Sequence, residues 1–253
     1  MMLKRLTVAL FGVAAMMALH GCSTLSQPSP IVQPTPSGGD EADLRGTYAR
    51  LGHASGKVFT ITPQDSAVRI YAFRAGSAAR LGHNHVLSAP RFSGFFHLPG
   101  GSADDGRFDL LFRLDQLEID NAAYRAQLGS AFSSVIDADA VAGTREHLLG
   151  ADGLQADRFP FVRIHSVRIS GEAPKFAVRA QIQLHGQDRE LWIPLDVAGL
   201  PDRLSVSGSF VLRQSDFGVQ PYSLLGGLLS VQDEVVVDFK LGGVCAPELS
   251  SRC

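Results

Sequence analysis

His83 and His85 are separated by a single residue, Asn84. On an extended strand their imidazoles would project to one side, where two such rings can begin a metal site or ligate haem iron. A third ligand would have to arrive through folding, from His97, His147, His165 or an aspartate. Gly82 beside the pair favours a bend, which would spoil the strand geometry. Two other readings compete: both rings hydrogen-bonding loop backbone, or both serving as pH-sensitive ligand contacts, since imidazole titrates near neutrality.

Other polar groups carry less. His147 follows Arg145 and Glu146 in a helix-like segment, where a structural hydrogen bond is favoured over catalysis. Ser215 and Asp216 sit at an expected strand end, where these residue types cap turns. A triad with some histidine can be drawn, but the G-x-S-x-G elbow is absent. No phosphate-binding loop, dinucleotide fingerprint or HExxH occurs either, so the chain reads as non-enzymatic.

The cysteines are Cys22, Cys245 and Cys253. Lys4 and Arg5 precede an apolar run from Leu6 to Leu19, too short for a comfortable membrane span, and Leu19-His20-Gly21-Cys22 closes it like the lipobox of a bacterial lipoprotein. On that reading residues 1–21 are a signal peptide and Cys22 carries the lipid. Ser23 after the cysteine points to the outer membrane rather than retention. His20 departs from the small residue usual there, which keeps ordinary cleavage or an uncleaved anchor open. If lipid consumes Cys22, an exporting compartment leaves Cys245 and Cys253 as an even pair for a disulfide in the tail, 244–253, with free or intermolecular thiols as the alternative.

A net charge of −2 over 253 residues leaves no electrostatic footprint for nucleic acid. Hydrophobic residues make up 45% of the chain, enough to bury a core. Residues 22–56 begin with a Ser-, Pro- and Gly-rich stretch that cannot pack and reads as a tether, weakly helical around 41–51. The folded domain is expected over 57–243.

Within that span the governing signal is period-2 alternation. Phe176, Val178, Ala180, Ile182 and Leu184 share one face, with Lys175, Arg179, Gln181 and Gln183 on the other. The pattern recurs at Leu191, Ile193, Leu195 and Val197, at Leu204, Val206, Phe210 and Leu212, and at Val235, Val237, Phe239 and Leu241. Further strands are expected at 58–62, 67–74, 91–98, 107–119 and 161–169, two of them with the rows Phe92/Phe96/Leu98 and Phe108/Leu110/Phe112/Leu114. Turn residues separate the runs, most clearly at His185-Gly186-Gln187-Asp188. Ala-rich stretches within 121–150 favour an inserted helical segment. The fold class is mainly β, an antiparallel barrel favoured over a sandwich, because no lone edge strand is marked by charges or prolines.

Five segments in order resemble the YceI-like family of periplasmic polyisoprenoid-binding proteins: Thr144-Arg145-Glu146-His147-Leu148, Phe159-Pro160-Phe161, Leu184-His185-Gly186-Gln187-Asp188-Arg189, Arg213-Gln214-Ser215-Asp216-Phe217-Gly218 and Val231-Gln232-Asp233-Glu234-Val235. The resemblance covers about Phe59 to Leu241. Gly82-His83-Asn84-His85 resembles a variant branch. It implies a lipocalin-like barrel of about eight strands, with a helical insertion bearing His147 as its cap. It also implies an apolar cavity that holds an isoprenoid-type lipid, for example a quinone, without chemistry.

The cavity candidates are then Phe92, Phe96, Phe108, Leu110, Phe112 and Leu114 from the early strands, Phe176, Val178, Ile182, Leu184, Leu191 and Ile193 from the middle ones, and Phe210, Val237 and Phe239 from the last. Leu224, Leu225, Leu228 and Leu229 flank two glycines and are candidates for a lipid portal, or for a loop packed across the barrel end. Amphipathic strands are equally compatible with a filled core, so a solid-core structural lipoprotein stays open. So does a metal or haem protein built on His83 and His85.

Overall fold

The alternating runs fold as long antiparallel strands whose apolar rows turn to one side. The computed structural model describes residues 41–100 and 102–253. The signal 1–21, Cys22 and the tether to residue 40 lie outside the described residues. In chain order the elements are α1 (Glu41–Ala54), β1 (Lys57–Ala75), β2 (His85–Ser88), β3 (Ser93–Leu98), β4 (Arg107–Arg113), β5 (Glu118–Ile119), α2 (Ala122–Ala126), α3 (Ala138–Leu149), β6 (Phe161–Glu172), β7 (Lys175–Leu184), β8 (Gln187–Ala198), β9 (Arg203–Arg213), β10 (Ser223–Leu224) and β11 (Leu229–Cys245). Eight strands form a closed antiparallel barrel in the order β1-β3-β4-β6-β7-β8-β9-β11, and β11 returns to pair with β1. β2, β5 and β10 extend the sheet outside that ring.

The expected strands 58–62 and 67–74 are one strand, β1, interrupted by a register shift between Thr62 and Ala67 that bends it around the barrel. The expected strand 107–119 is not continuous: Leu114–Gln116 make a 3-10 turn, so Leu114 starts a connection rather than ending a row. The insertion is helical as expected. Asn121 Oδ1 accepts from the Ala123 and Tyr124 amides to start α2, and Asp137 Oδ1 accepts from the Ala140 amide to start α3. At the β7–β8 hairpin His185 and Gly186 both take positive φ, 52° and 70°, as a two-residue type I′ turn requires.

α1 occupies residues that read as tether. Leu44 and Tyr48 bury against Phe95 and Leu111 on the outer face of β3 and β4, so α1 belongs with the barrel, ahead of the expected domain start at Lys57. The Tyr48 hydroxyl donates to Asp109 Oδ2 at 2.9 Å, and the two rings of Tyr48 and Phe95 stack at 5.2 Å. Asp109 is fully buried but paired, because Arg163 gives its Nε and Nη2 to Oδ1 at 2.9 and 2.7 Å. Burial and then the Asp109 charge push the Tyr48 phenol above its ordinary pKa.

The tail closes over the same helix. Cys245, at the end of β11 opposite Phe59, is bonded to Cys253. Between them Leu249 is buried against α1, and Ser250 Oγ accepts from the Val58 amide at 2.9 Å. A Cβ on Gly52 would lie 2.0 Å from the Leu249 carbonyl oxygen, so only glycine lets helix and tail touch there. The staple therefore belongs to the folded unit and is not confined to a loose tail.

Candidate functional site

The register defines two ends of the barrel. At the short-loop end lie the connections β3–β4, β6–β7 and β8–β9. At the capped end lie the His185–Gly186 turn, the chain from Gln214 to Leu228, and the insertion between β5 and β6.

An apolar cavity runs inward from the short-loop end. Its volume is about 100 Å³, and it is open toward that end. Every lining residue is apolar. Among the sequence candidates the wall holds Phe96 of β3, Phe108 and Leu110 of β4, Phe176 and Val178 of β7, and Ile193 of β8. Phe210 of β9 and Val237 and Phe239 of β11 complete that set. Gly208 makes room for this arrangement: a Cβ there would lie 2.6 Å from the Phe239 ring.

The remaining candidates do not reach the cavity. Phe112, Leu114 and Ile182 are buried in the same core nearer the capped end, with Phe92, Leu184 and Leu191 partly buried against it. The alternation placed them on the inward side, but it carries no information on which level of the barrel is hollow. The cavity candidates left out Ile61, Val68, Ile164, Ile169, Leu195, Val197, Leu204, Val206 and Leu241, and also Ala103 and Leu200. The first nine stand in expected strands. Ala103 and Leu200 come from connections and left no periodic signal.

The capped end is filled from outside the strands. The 3-10 turn Gln214–Phe217 inserts Phe217, 1% exposed, with Val219 behind it. Leu148 and Leu149 of α3 and Leu154 pack on the same core. His185 Nδ1 donates to the Phe217 carbonyl at 2.9 Å and fixes this plug to the β7–β8 turn. His185 Nε2 is left buried without a partner. Arg145 of α3 donates to the carbonyls of Asp115 and Leu117, and Tyr222 OH approaches His147 Nε2 at 3.4 Å.

The portal candidates sit at the capped end too. Leu224, Leu225 and Leu228 are exposed, Leu229 lies against Gly82, and none of the four lines the cavity.

His83 and His85 lie on the outside, beside the insertion. His83 Nδ1 meets Ser134 Oγ at 3.1 Å and His85 Nδ1 meets Asp120 Oδ2 at 2.6 Å, so the partners are side chains and not loop backbone. The ring centroids stand 6.5 Å apart. Among the described residues no group of three or more His, Cys, Asp or Glu gathers that could hold a metal ion. Arg125 Nη1 donates to Asp120 Oδ1 at 2.6 Å and to the Asn84 carbonyl at 2.7 Å. Burial alone would raise the Asp120 carboxyl, but the hydrogen bonds from His85, the Val86 amide and Arg125 outweigh it and hold the group below the usual carboxylate range. This network ties β2 to the insertion. Ser215, the imagined nucleophile, donates its hydroxyl to Asp233 instead of meeting a histidine.

A family model described as a YceI-like domain matches residues 59–242. The crystal structure of BcnA from Burkholderia cenocepacia is similar, with a TM-score of 0.53 at 16% identity over 72% of this chain and 98% of that one. A Campylobacter jejuni YCEI protein gives a TM-score of 0.47 at 11% identity, over 63% and 84% of the two chains. No curated protein matches the chain. At 16% identity the BcnA structure speaks for the fold alone.

Proposed function

Because the chain belongs to the YceI-like domain family, we propose that it is a non-enzymatic protein that binds, sequesters or transports an isoprenoid-type lipid, for example a quinone. The observation that carries this reading is the cavity: an open space inside the barrel whose lining is wholly apolar. Such a wall holds a chain by shape and burial and offers no group to react with it.

A carrier must also release its ligand. Burial is worth roughly 0.8 kcal/mol per CH₂, so a chain of tens of carbons nominally exceeds the ceiling of about −20 kcal/mol for non-covalent binding. The competing solvent is the bilayer, which is apolar as well, so exchange between bilayer and cavity can be nearly balanced. That favours a protein held near its reservoir. The lipobox-like Leu19-His20-Gly21-Cys22 supplies the means, with the mature chain exported, lipid-anchored at Cys22 and delivered to the outer membrane from the periplasmic side.

Native mass spectrometry of the protein extracted from its own cells tests the reading. The native chain is expected to carry a co-purifying isoprenoid lipid, and Val178→Trp, which fills the cavity from β7, is expected to lose it while staying folded. A native chain without lipid would sink the proposal.

A further inference from the structure

The barrel wall has a gap. β8 pairs with β7 from Gln187 to Asp196, and β9 pairs with β11 along its whole length. With each other, β8 and β9 pair only where Leu195–Ala198 meet Ser205–Gly208. Gln187–Pro194 and Ser209–Arg213 therefore face each other across a seam that no ladder closes.

The sequence explains where the ladder stops. The two-residue turn at His185–Gly186 makes Leu184 and Gln187 the hydrogen-bonded pair that closes the β7–β8 hairpin. Counting from there, odd-numbered residues of β8 turn their backbone groups to β7 and even-numbered residues turn theirs to β9. Pro194 falls on the β9 side and has no N–H to give, so a ladder continuing past Leu195 loses its next donor. At the capped end the seam is bounded by the hydrogen bond from His185 to the Phe217 carbonyl, which joins the turn before β8 to the turn after β9.

Side chains bear out the gap. The inward row of β8 is sealed at Ile193, 3% exposed, but Leu191 is only partly buried. Arg189, the cross-strand partner of the buried Ile182 and so an inward position, is exposed. On the outer face, Trp192 is 52% exposed and Val211 55%. Continuing the register of the short ladder sets these two opposite one another across the seam. Just inside stand Ile193 and Phe210, which line the cavity. The exposed apolar pair thus lies directly over two cavity-lining side chains.

We propose that the lipid chain enters and leaves sideways through the seam between β8 and β9, with Trp192 and Val211 set against the bilayer that supplies it. This rests on the carrier reading of the cavity and adds the route and the contact surface. A slot between strands lets a long chain slide in along its length, without threading tail-first past Leu200 and Ala103 at the barrel's end. The indole of Trp192 suits the boundary between headgroups and acyl chains, being apolar in body with one polar N–H. The unladdered N–H groups of Asp188, Glu190 and Trp192 leave donors beside the slot for a hydrogen-bond-accepting head group.

The test staples the seam in the full chain. Glu190→Cys and Arg213→Cys, exposed on its two sides, are joined after folding by a short bis-maleimide. One control caps the same cysteines separately with N-ethylmaleimide. Another joins Ser207→Cys to Lys240→Cys across the intact β9–β11 ladder. Transfer of a fluorescent polyprenyl alcohol from phosphatidylcholine vesicles is followed in each. Stapling the seam is expected to slow transfer about tenfold or more, equivalent to about 1.4 kcal/mol on the barrier, with both controls unchanged. Brominated acyl chains in the same vesicles are expected to quench the emission of Trp192, the chain's single tryptophan. Unchanged transfer through a stapled seam, or an unquenched Trp192, would overturn the sideways route while leaving the carrier reading intact. A native chain that never takes up the probe would overturn both.

Discussion

At the capped end of the barrel the inward rows of β6, β7 and β9 meet side chains delivered by other elements, whereas at the short-loop end the same rows meet only each other across empty space. Ile182 and Leu212 touch a core completed by Phe217, Val219 and the insertion leucines. Phe176, Val178 and Phe210, on the same strands, border the cavity. Strand chemistry is alike in both halves. What differs is reach: the β6–β7 and β8–β9 connections are short, while the insertion and the turn after β9 are long enough to fold back inside. A hollow barrel of this kind is decided by its connections.

That contrast can be broken by truncating a phenylalanine in each half. Phe217→Ala removes a plug side chain from a packed site and should cost about 3–5 kcal/mol of stability in urea unfolding. Phe176→Ala removes a ring that already faces open space, so little new cavity forms; the expected loss is about 1.5 kcal/mol, near the transfer value alone. Equal losses would mean that the two halves are packed alike.

Acid should sharpen the same contrast by a smaller amount. His165 lies on β6 next to the cavity-lining Ile164, and burial holds its imidazole below the ordinary histidine pKa. A depressed folded-state pKa means its contribution is full above the unfolded value of about 6.5 and is lost as pH falls through the folded one. Asp120, tying the insertion at the other end, is also depressed, so its contribution is lost only below about pH 3.9. Unfolding followed from pH 7 to pH 5 should show a shallow decline that His165→Gln flattens and that leaves the Asp120 network untouched. A decline equally steep in His165→Gln would refute this assignment.

Much of the fold was legible because one face of each strand is buried and the alternation is unbroken, as in β7 and β9. Three things were not. The helix expected around 41–51 is present, but its docking was not legible, because its buried pair is Leu44 and Tyr48 and the polar anchor of Tyr48, Asp109, lies 61 residues away. Hollow and filled levels could not be told apart, since Phe108 and Phe112 share a row and differ only in what folds back over them. The opposite placement of the portal leucines and the cavity depends on strand register, which loop composition does not encode. Pro194 was passed over by the alternation reading, although a proline inside the expected run 191–197 marks a place where a ladder must fail. The His83/His85 pair shows the reverse case, since its spacing suggested a metal site but among the described residues no third ligand gathers beside it.

The clamp on α1 also has a mechanical side. Any pull arriving through the residues before Glu41 reaches α1 before it reaches a strand. There it is opposed by the Tyr48–Asp109 contact and by the Arg45–Glu248 ion pair at 2.9 Å, while the Cys245–Cys253 bond keeps the tail beneath the helix from peeling away. β1, whose detachment would unzip the ring, comes after that anchor in the chain.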